Sequence, residues 1–260
     1  MFDSHCHITD LEAPDEALQA ARRAGVRSLL TCGYDEPSNS LVCALSDRHP
    51  DLPYAIGLHP WYADQPVEPV LQRIRERMRG ERRPTAVGEA GLDLWGKEPC
   101  HPLELQQTAL EAQLQLAVEL DLPVTLHSRK AAGALLPILR NHPRVRGALH
   151  AYSGSYEQLR PLLDLGMYVG IGGAVTRSRA KRVRRCAAAV PLDCILLETD
   201  APAIGMDIVE PPHVRPAHLP RVRDALAELR QIDPLELEAV VDDNAKRLFR
   251  LKDSVCDQRT

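Results

Sequence analysis

Aromatic residues are scarce, with two tryptophans, six tyrosines and two phenylalanines making up 4% of 260 residues. That scarcity argues against a sheet that binds RNA by stacking bases on rows of rings. A basic excess is missing too: 32 Lys and Arg face 36 Asp and Glu, for a formal net charge of -4. Nucleic acid, if bound, must meet a local patch rather than a global field. No apolar run approaches membrane-spanning length, so no membrane partner is expected. The cysteines (Cys6, Cys32, Cys43, Cys100, Cys186, Cys194, Cys256) form no CxxC pair and no framework spacing. They read as reduced thiols of a cytoplasmic protein. A secretory leader is not expected, because candidate ligands begin at His5. There is no solenoid repeat, low-complexity tract or linker, and residues 1–260 read as one domain with no obligate protein partner.

What is present starts at once, with Asp3-Ser4-His5-Cys6-His7. Alternate side chains of a strand share a face, so His5 and His7 project together. Imidazole is a common ligand for transition metals, and two imidazoles cannot complete a site alone.

Short β-type runs then alternate with helical ones. Strand signals fall at 2–4, 28–31, 54–57, 86–89, 123–127, 146–150, 167–171 and 194–197. Helical patterns fall at 14–24, 38–48, 67–79, 103–120, up to 141, 156–165, 177–190, 217–230 and 234–249. The 103–120 pattern is the clearest, apolar at helical spacing with glutamines on the other face. About eight strands, each followed by a helix, predict an α/β fold of the TIM (β/α)8 barrel type. A doubly wound open sheet would want a GxGxxG loop after an early strand, and none stands there.

In such a barrel, catalytic groups stand at the carboxyl ends of strands. Those ends carry His5 and His7, then His59, Glu89, His127, His150 and Asp200. Each has a bland alternative: a satisfied polar histidine, a cap partner for Glu89, a turn opener for Asp200. The weight rests on the set. Four imidazoles and two carboxylates, with His59 nearby, are too many for one ion. Two ions about 3.5–4 Å apart would use them, with Glu89 bridging and a water between them acidified toward about pH 7. Glu198 shares strand parity with Asp200 and is expected one layer below, accepting a hydrogen bond from a ligating imidazole. His49, His101, His142, His213 and His218 fall in helices or loops and read as ordinary polar residues.

The sequence resembles the TatD family of metal-dependent hydrolases, most closely its YjjV-type branch. The matching pieces are the opening Asp3–His7 run, Gly57-Leu58-His59-Pro60, Val87-Gly88-Glu89-Ala90-Gly91-Leu92-Asp93 and Leu122-Pro123-Val124-Thr125-Leu126-His127-Ser128-Arg129. Further on come His150-Ala151-Tyr152-Ser153-Gly154, Tyr168-Val169-Gly170-Ile171-Gly172-Gly173 and Leu197-Glu198-Thr199-Asp200-Ala201-Pro202. The resemblance implies a distorted TIM barrel, a binuclear metal site and hydrolysis of phosphodiesters, chiefly in DNA. Its ligand pattern falls on His5, His7, Glu89, His127, His150 and Asp200. Departures at Ala90, Ala151-Tyr152, Trp61 and the 205–215 loop touch no ligand and bear on substrate choice.

The expected mechanism has two divalent ions clamp a scissile phosphate of single-stranded DNA while a bridging hydroxide attacks. Asp200 takes the water's proton, and His59 and Arg129 hold the non-bridging oxygens. Arg177, Arg179, Lys181 and Arg182 follow the seventh strand and could track a nucleic-acid backbone; a solvated helix face is the alternative. Trp61 or Tyr152 stacks a base or packs a lid. Zinc, manganese or nickel suits the imidazoles, whereas nuclease use suggests magnesium. Two rival classes remain open: an acyl or amide hydrolase such as a D-aminoacyl-tRNA deacylase, and a non-catalytic nucleic-acid binder.

Overall fold

Each apolar run becomes a strand that pairs in parallel with the next along the chain. The computed structural model describes residues 1–96 and 101–251, which leaves Cys100 and Cys256 outside. The strands are β1 (Phe2–Cys6), β2 (Ser28–Cys32), β3 (Tyr54–Ile56), β4 (Ala86–Asp93), β5 (Val124–Arg129), β6 (Gly147–Leu149), β7 (Tyr168–Ile171) and β8 (Ile195–Leu197). Their order in the sheet is their order in the sequence. The ring is nearly closed, because the Asp200 N–H donates to the His5 carbonyl at 2.9 Å and the His7 N–H to that of Ala201 at 2.7 Å. Parallel neighbours require a crossover, and helices supply it. They are α1 (Pro14–Arg23), α2 (Glu36–Arg48), α3 (Glu68–Arg79), α4 (Leu103–Glu119), α5 (Ala132–Asn141), α6 (Tyr156–Leu163), α7 (Lys181–Ala189), α8 (Leu219–Arg230) and α9 (Pro234–Phe249). This is the TIM-barrel architecture the alternation predicts.

Helix α2 begins two residues before the expected 38, for a local reason. Asp35 accepts from the Ser38 N–H at 2.8 Å while the Ser38 hydroxyl accepts from the Asp35 N–H at 3.0 Å. That reciprocal cap satisfies two orphan donors of the first turn. Asp35→Ala is expected to cost about 1 kcal/mol in a urea titration; an unchanged midpoint would mean the cap contributes nothing. The expected helix 177–190 is shorter than predicted. A 3-10 turn, Gly173–Thr176, follows β7, and α7 starts only at Lys181.

The glutamines of α4 divide, against expectation. Gln106 and Gln113 turn inward and are fully buried. The Gln106 carbonyl accepts from the Asp93 N–H at 2.8 Å, and that of Gln113 from the Leu58 N–H at 2.8 Å. Each amide group donates back, to the carbonyls of Asp93 and Leu58, at 3.1 Å. A buried backbone end with no strand partner must be satisfied somehow, and these side chains fix the ends of β3 and β4 beside the site. At the opposite end Phe2, Leu30, Ala55, Ala86, Ala148 and Leu196 meet Leu248 and Phe249 of α9 in one buried cluster. Helix α9 therefore stoppers the barrel, leaving the carboxyl ends of the strands as the open mouth. No described helix is long and apolar enough to cross a membrane.

Candidate active site

The mouth converges on Glu89, near the middle of β4 and almost wholly buried. Its Oε2 lies 3.3 Å from Nε2 of both His5 and His7. Its Oε1 lies 3.1 Å from His59 Nε2, 3.1 Å from His127 Nδ1 and 2.7 Å from His150 Nε2. Asp200 faces His7 at 3.5 Å and His150 at 3.8 Å. All seven strand-end residues singled out in the sequence are thus brought together. His5 stands within β1 and His7 one residue past its end, and their Nε2 atoms lie 3.3 Å apart.

The outer nitrogens decide what the inner ones are. His7 Nδ1 lies 2.9 Å from the Cys32 carbonyl, which can only accept, so Nδ1 carries the proton. A neutral His7 then aims a lone pair at Glu89 and Asp200. His127 is similar: Nε2 donates to Asp93 Oδ2 at 3.2 Å, leaving Nδ1 to face Glu89. His59 is the reverse, since its Nδ1 accepts from the Trp61 N–H at 3.1 Å and its Nε2–H donates to Glu89. Acceptors facing acceptors in a dry pocket call for a cation between them. Asp200 Oδ1 and His150 Nδ1, both buried, have no hydrogen-bond partner among the described residues. Three groups have ligand atoms close enough to share an ion: His5, His7 and Asp200; His5, Glu89 and His150; His59, Glu89 and His127.

The ionisation states agree with that pattern. Burial alone would raise the Glu89 carboxyl, but the surrounding imidazoles, His150 and His59 foremost, hold it well below the usual carboxylate range. Burial would lower His7, yet Glu89 and Asp200 raise it to about 10. His127, between Asp93 and Glu89, is likewise raised against its burial, to about 9. Burial and neighbouring imidazoles hold His5 and His59 down at about 4. In the absence of metal, protons on His7 and His127 supply the positive charge. A ligand must be neutral, and a group whose pKa lies above the working pH starts charged. Loading with zinc at pH 8 should therefore release at least one proton, with affinity rising as the pH climbs toward 9–10. Calorimetry in buffers of differing ionisation enthalpy measures this directly; a heat independent of buffer would sink it.

Other expectations fare differently. Arg129 lines the cavity with its guanidinium 3.4 Å over the Trp95 ring. Arg177 sits at the rim, its guanidinium packed against Gly205 rather than lining the cavity. Tyr152 is buried outside the cavity, its hydroxyl donating to the Ser155 carbonyl at 3.1 Å, so it packs its own turn and offers no face to a base. Glu198 receives no imidazole. It accepts from the Ala151 N–H and, at 3.4 Å, from the Ser4 hydroxyl, filling space that only a glycine at 170 leaves open. Burial and the charge of Asp200 push its carboxyl well above the ordinary range.

The carboxylate that supports an imidazole is instead Asp93, which also accepts from Trp61 Nε1–H at 2.8 Å. The sequence held the signal: Asp93 stands four residues past Glu89 on one strand and shares its face. Asp10, Tyr34 and Tyr62, also missed, line the same cavity of about 490 Å3. Among the histidines read as ordinary, His101 pairs with the Trp61 carbonyl at 2.9 Å and His49 with Asp15.

Comparison with known proteins accords with this centre. The family model described as TatD related DNase matches residues 2–250. The metal-dependent hydrolase YjjV of Escherichia coli K12 is 36% identical over 257 residues, covering 96% of this chain and 98% of the relative. The 3'-5' ssDNA/RNA exonuclease TatD of Cronobacter sakazakii is 36% identical over 259 residues, covering 96% and 97%. The crystal structure of Escherichia coli YjjV superposes with a TM-score of 0.89 at 34% identity, over 97% of this chain and 98% of that one. With a whole-chain match and a shared barrel, this protein belongs to the TatD-related DNase family of metal-dependent hydrolases.

Proposed function

We propose that the single barrel of residues 1–260 is a binuclear metal-dependent phosphodiesterase that trims single-stranded nucleic acid, DNA foremost, in the cytoplasm. His5, His7, Glu89, His127, His150 and Asp200 would hold the cations, with Glu89 bridging. One observation carries this: Cys32 and Asp93 hold the outer N–H groups of His7 and His127, so the inner nitrogens face Glu89 and can each give a metal a lone pair once the second proton is shed. Relatives named as 3'-5' exonucleases of single-stranded DNA and RNA support the substrate class, and the free cysteines suit a reducing compartment. Bound there, two divalent ions (zinc, manganese, nickel or magnesium) supply charge that neutralises a phosphodiester and acidifies water.

The protein's own groups do the rest. Asp200 Oδ1, buried and without a hydrogen bond among the described residues, takes the proton of the attacking water and can return it to the leaving oxygen. Arg129, braced on Trp95, offers its fork of donors to the non-bridging oxygens. His59 has its Nε2–H committed to Glu89, and its role is to orient that carboxylate rather than grip phosphate.

Labelled single-stranded DNA and charged tRNA, incubated with purified protein across these metals, test the reading. Shortened DNA is the expected product. If only aminoacyl esters are cleaved, the phosphodiesterase assignment falls and the deacylase one replaces it.

A further inference from the structure

Few as the aromatic residues are, both tryptophans and two of the six tyrosines stand at or under this one mouth. Trp61 is committed to Asp93, and Trp95 lies beneath Arg129. Tyr34 and Tyr62 carry no such duty. Their rings lie nearly parallel, 5.9 Å between centroids at 16°, half-buried and lining the cavity. Tyr34 also meets the His7 ring edge-on at 5.4 Å, which places the pair directly beside the metal-binding cluster. At their outer end Asp10 accepts the Tyr34 hydroxyl at 3.3 Å, and its remaining lone pairs face the cavity.

We propose that Tyr34, Tyr62 and Asp10 form the subsite for the terminal nucleoside of a single strand, whose chain leaves across the mouth over the cations of α7. The proposal deepens the nuclease reading and rests on it. An unpaired base finds π surface on the tyrosines, a contact worth making only once the base is out of a duplex. Asp10 accepts from an amino group or sugar hydroxyl and repels a further phosphate, so the strand must end there. Barrel order fixes the other pole. Tyr34 and Tyr62 follow β2 and β3, and the turn that leads to α7 follows β7, half-way round an eight-stranded ring. Ala174 of that turn lines the cavity, and beyond it Arg179, Lys181 and Arg182 are exposed. A backbone leaving the cleavage site toward them moves from negative to positive potential. The cavity is of the size that holds one small ligand, such as a nucleotide.

The test uses metal-loaded protein and an oligonucleotide with 2-aminopurine at its 3' terminus behind a cleavage-resistant phosphorothioate linkage. Fluorescence should be quenched on binding, and less so when the probe base is internal. Tyr34→Leu and Tyr62→Leu should abolish the quench, and Tyr34→Phe and Tyr62→Phe, which keep the ring, should restore it. With cleavable strands, wild type should favour a terminal base over an abasic terminus by about tenfold in kcat/KM. That ratio should fall toward one in the leucine variants. Asp10→Asn should narrow the preference for a 3'-hydroxyl over a 3'-phosphate. Quenching that depends on the tyrosines supports the subsite even if no strand is cut, in which case only the nuclease reading falls. Cleavage without quenching, or with a ratio unchanged in the leucine variants, overturns the subsite and leaves the nuclease reading standing. Neither quenching nor cleavage overturns both.

Discussion

Glu89→Ala is expected to lower kcat/KM on single-stranded DNA by at least about a thousandfold while the barrel stays folded. On the two-ion proposal, bound metal should drop from two ions per chain to one or none. The reason is how the carboxylate divides its contacts. Oε2 serves His5 and His7 at 3.3 Å, while Oε1 serves His59, His127 and His150 at 2.7–3.1 Å. Asp200 reaches across less closely, at 3.5 and 3.8 Å, and Asp93 meets the cluster at His127. Without Glu89 two cations in one pocket would lose their shared counter-charge and repel unscreened. Glu89→Gln keeps the shape and should fail nearly as badly, since it carries no charge and its amide hydrogens would face the histidine nitrogens where a cation is expected. Metal analysis beside steady-state kinetics reads both effects. A Glu89→Ala protein that retains a tenth of wild-type activity would remove the central carboxylate from the mechanism. Surviving binding without hydrolysis is what separates an enzyme so damaged from a protein whose only task is to bind.

Gly91→Ala should cost about 3 kcal/mol or more of stability, or prevent accumulation of folded protein. Gly91 has φ +142°, a conformation that L side chains rarely adopt. It also pairs directly with His127 across β4 and β5. A Cβ there would lie 2.8 Å from the His127 nitrogen and 2.9 Å from its carbonyl carbon, and would collide with the carbonyl oxygen. The obstacle is backbone, which cannot swing aside as a side chain can. The two strands must separate, displacing the imidazole that Asp93 steadies. Urea unfolding gives the stability, and zinc stoichiometry of any folded fraction gives the displacement. An alanine variant with the wild-type midpoint would mean that β4 and β5 do not approach so closely.

The barrel was legible because eight apolar runs recur between helical ones, and a parallel sheet covered by helices needs little more than that rhythm. The cluster was legible because its members stand where those runs stop, and two of them, His5 and His7, stand one residue apart where the first run ends. What escaped depends on contacts that a linear pattern does not encode. Glu198 turns to Ala151 and Ser4 because position 170 has no side chain, a void visible only once β7 and β8 are paired. Gln106 and Gln113 looked like solvent-facing residues, since a polar type on a helix reads as exterior; their partners are backbone groups of Leu58 and Asp93, distant in the chain. Asp93 was hidden for a simpler reason. The hydrophobic run weakens after Val87, so β4 looks four residues shorter than the pairing of Ala90–Asp93 with Leu126–Arg129 makes it.

The stopper helix sets an order of events during synthesis. Phe2 donates its N–H to Asp242 of α9 at 2.8 Å, across 240 residues of chain, and its ring meets Phe249. Strand β1, which holds His5 and ends beside His7, is synthesised well before α9, which packs on its other end. Pairing with β2 can set the register of β1 early, whereas the contact with α9 spans the whole barrel and forms only once α9 is made. Every proposed ligand, from His5 to Asp200, is thus made before the helix that closes the opposite end of the barrel.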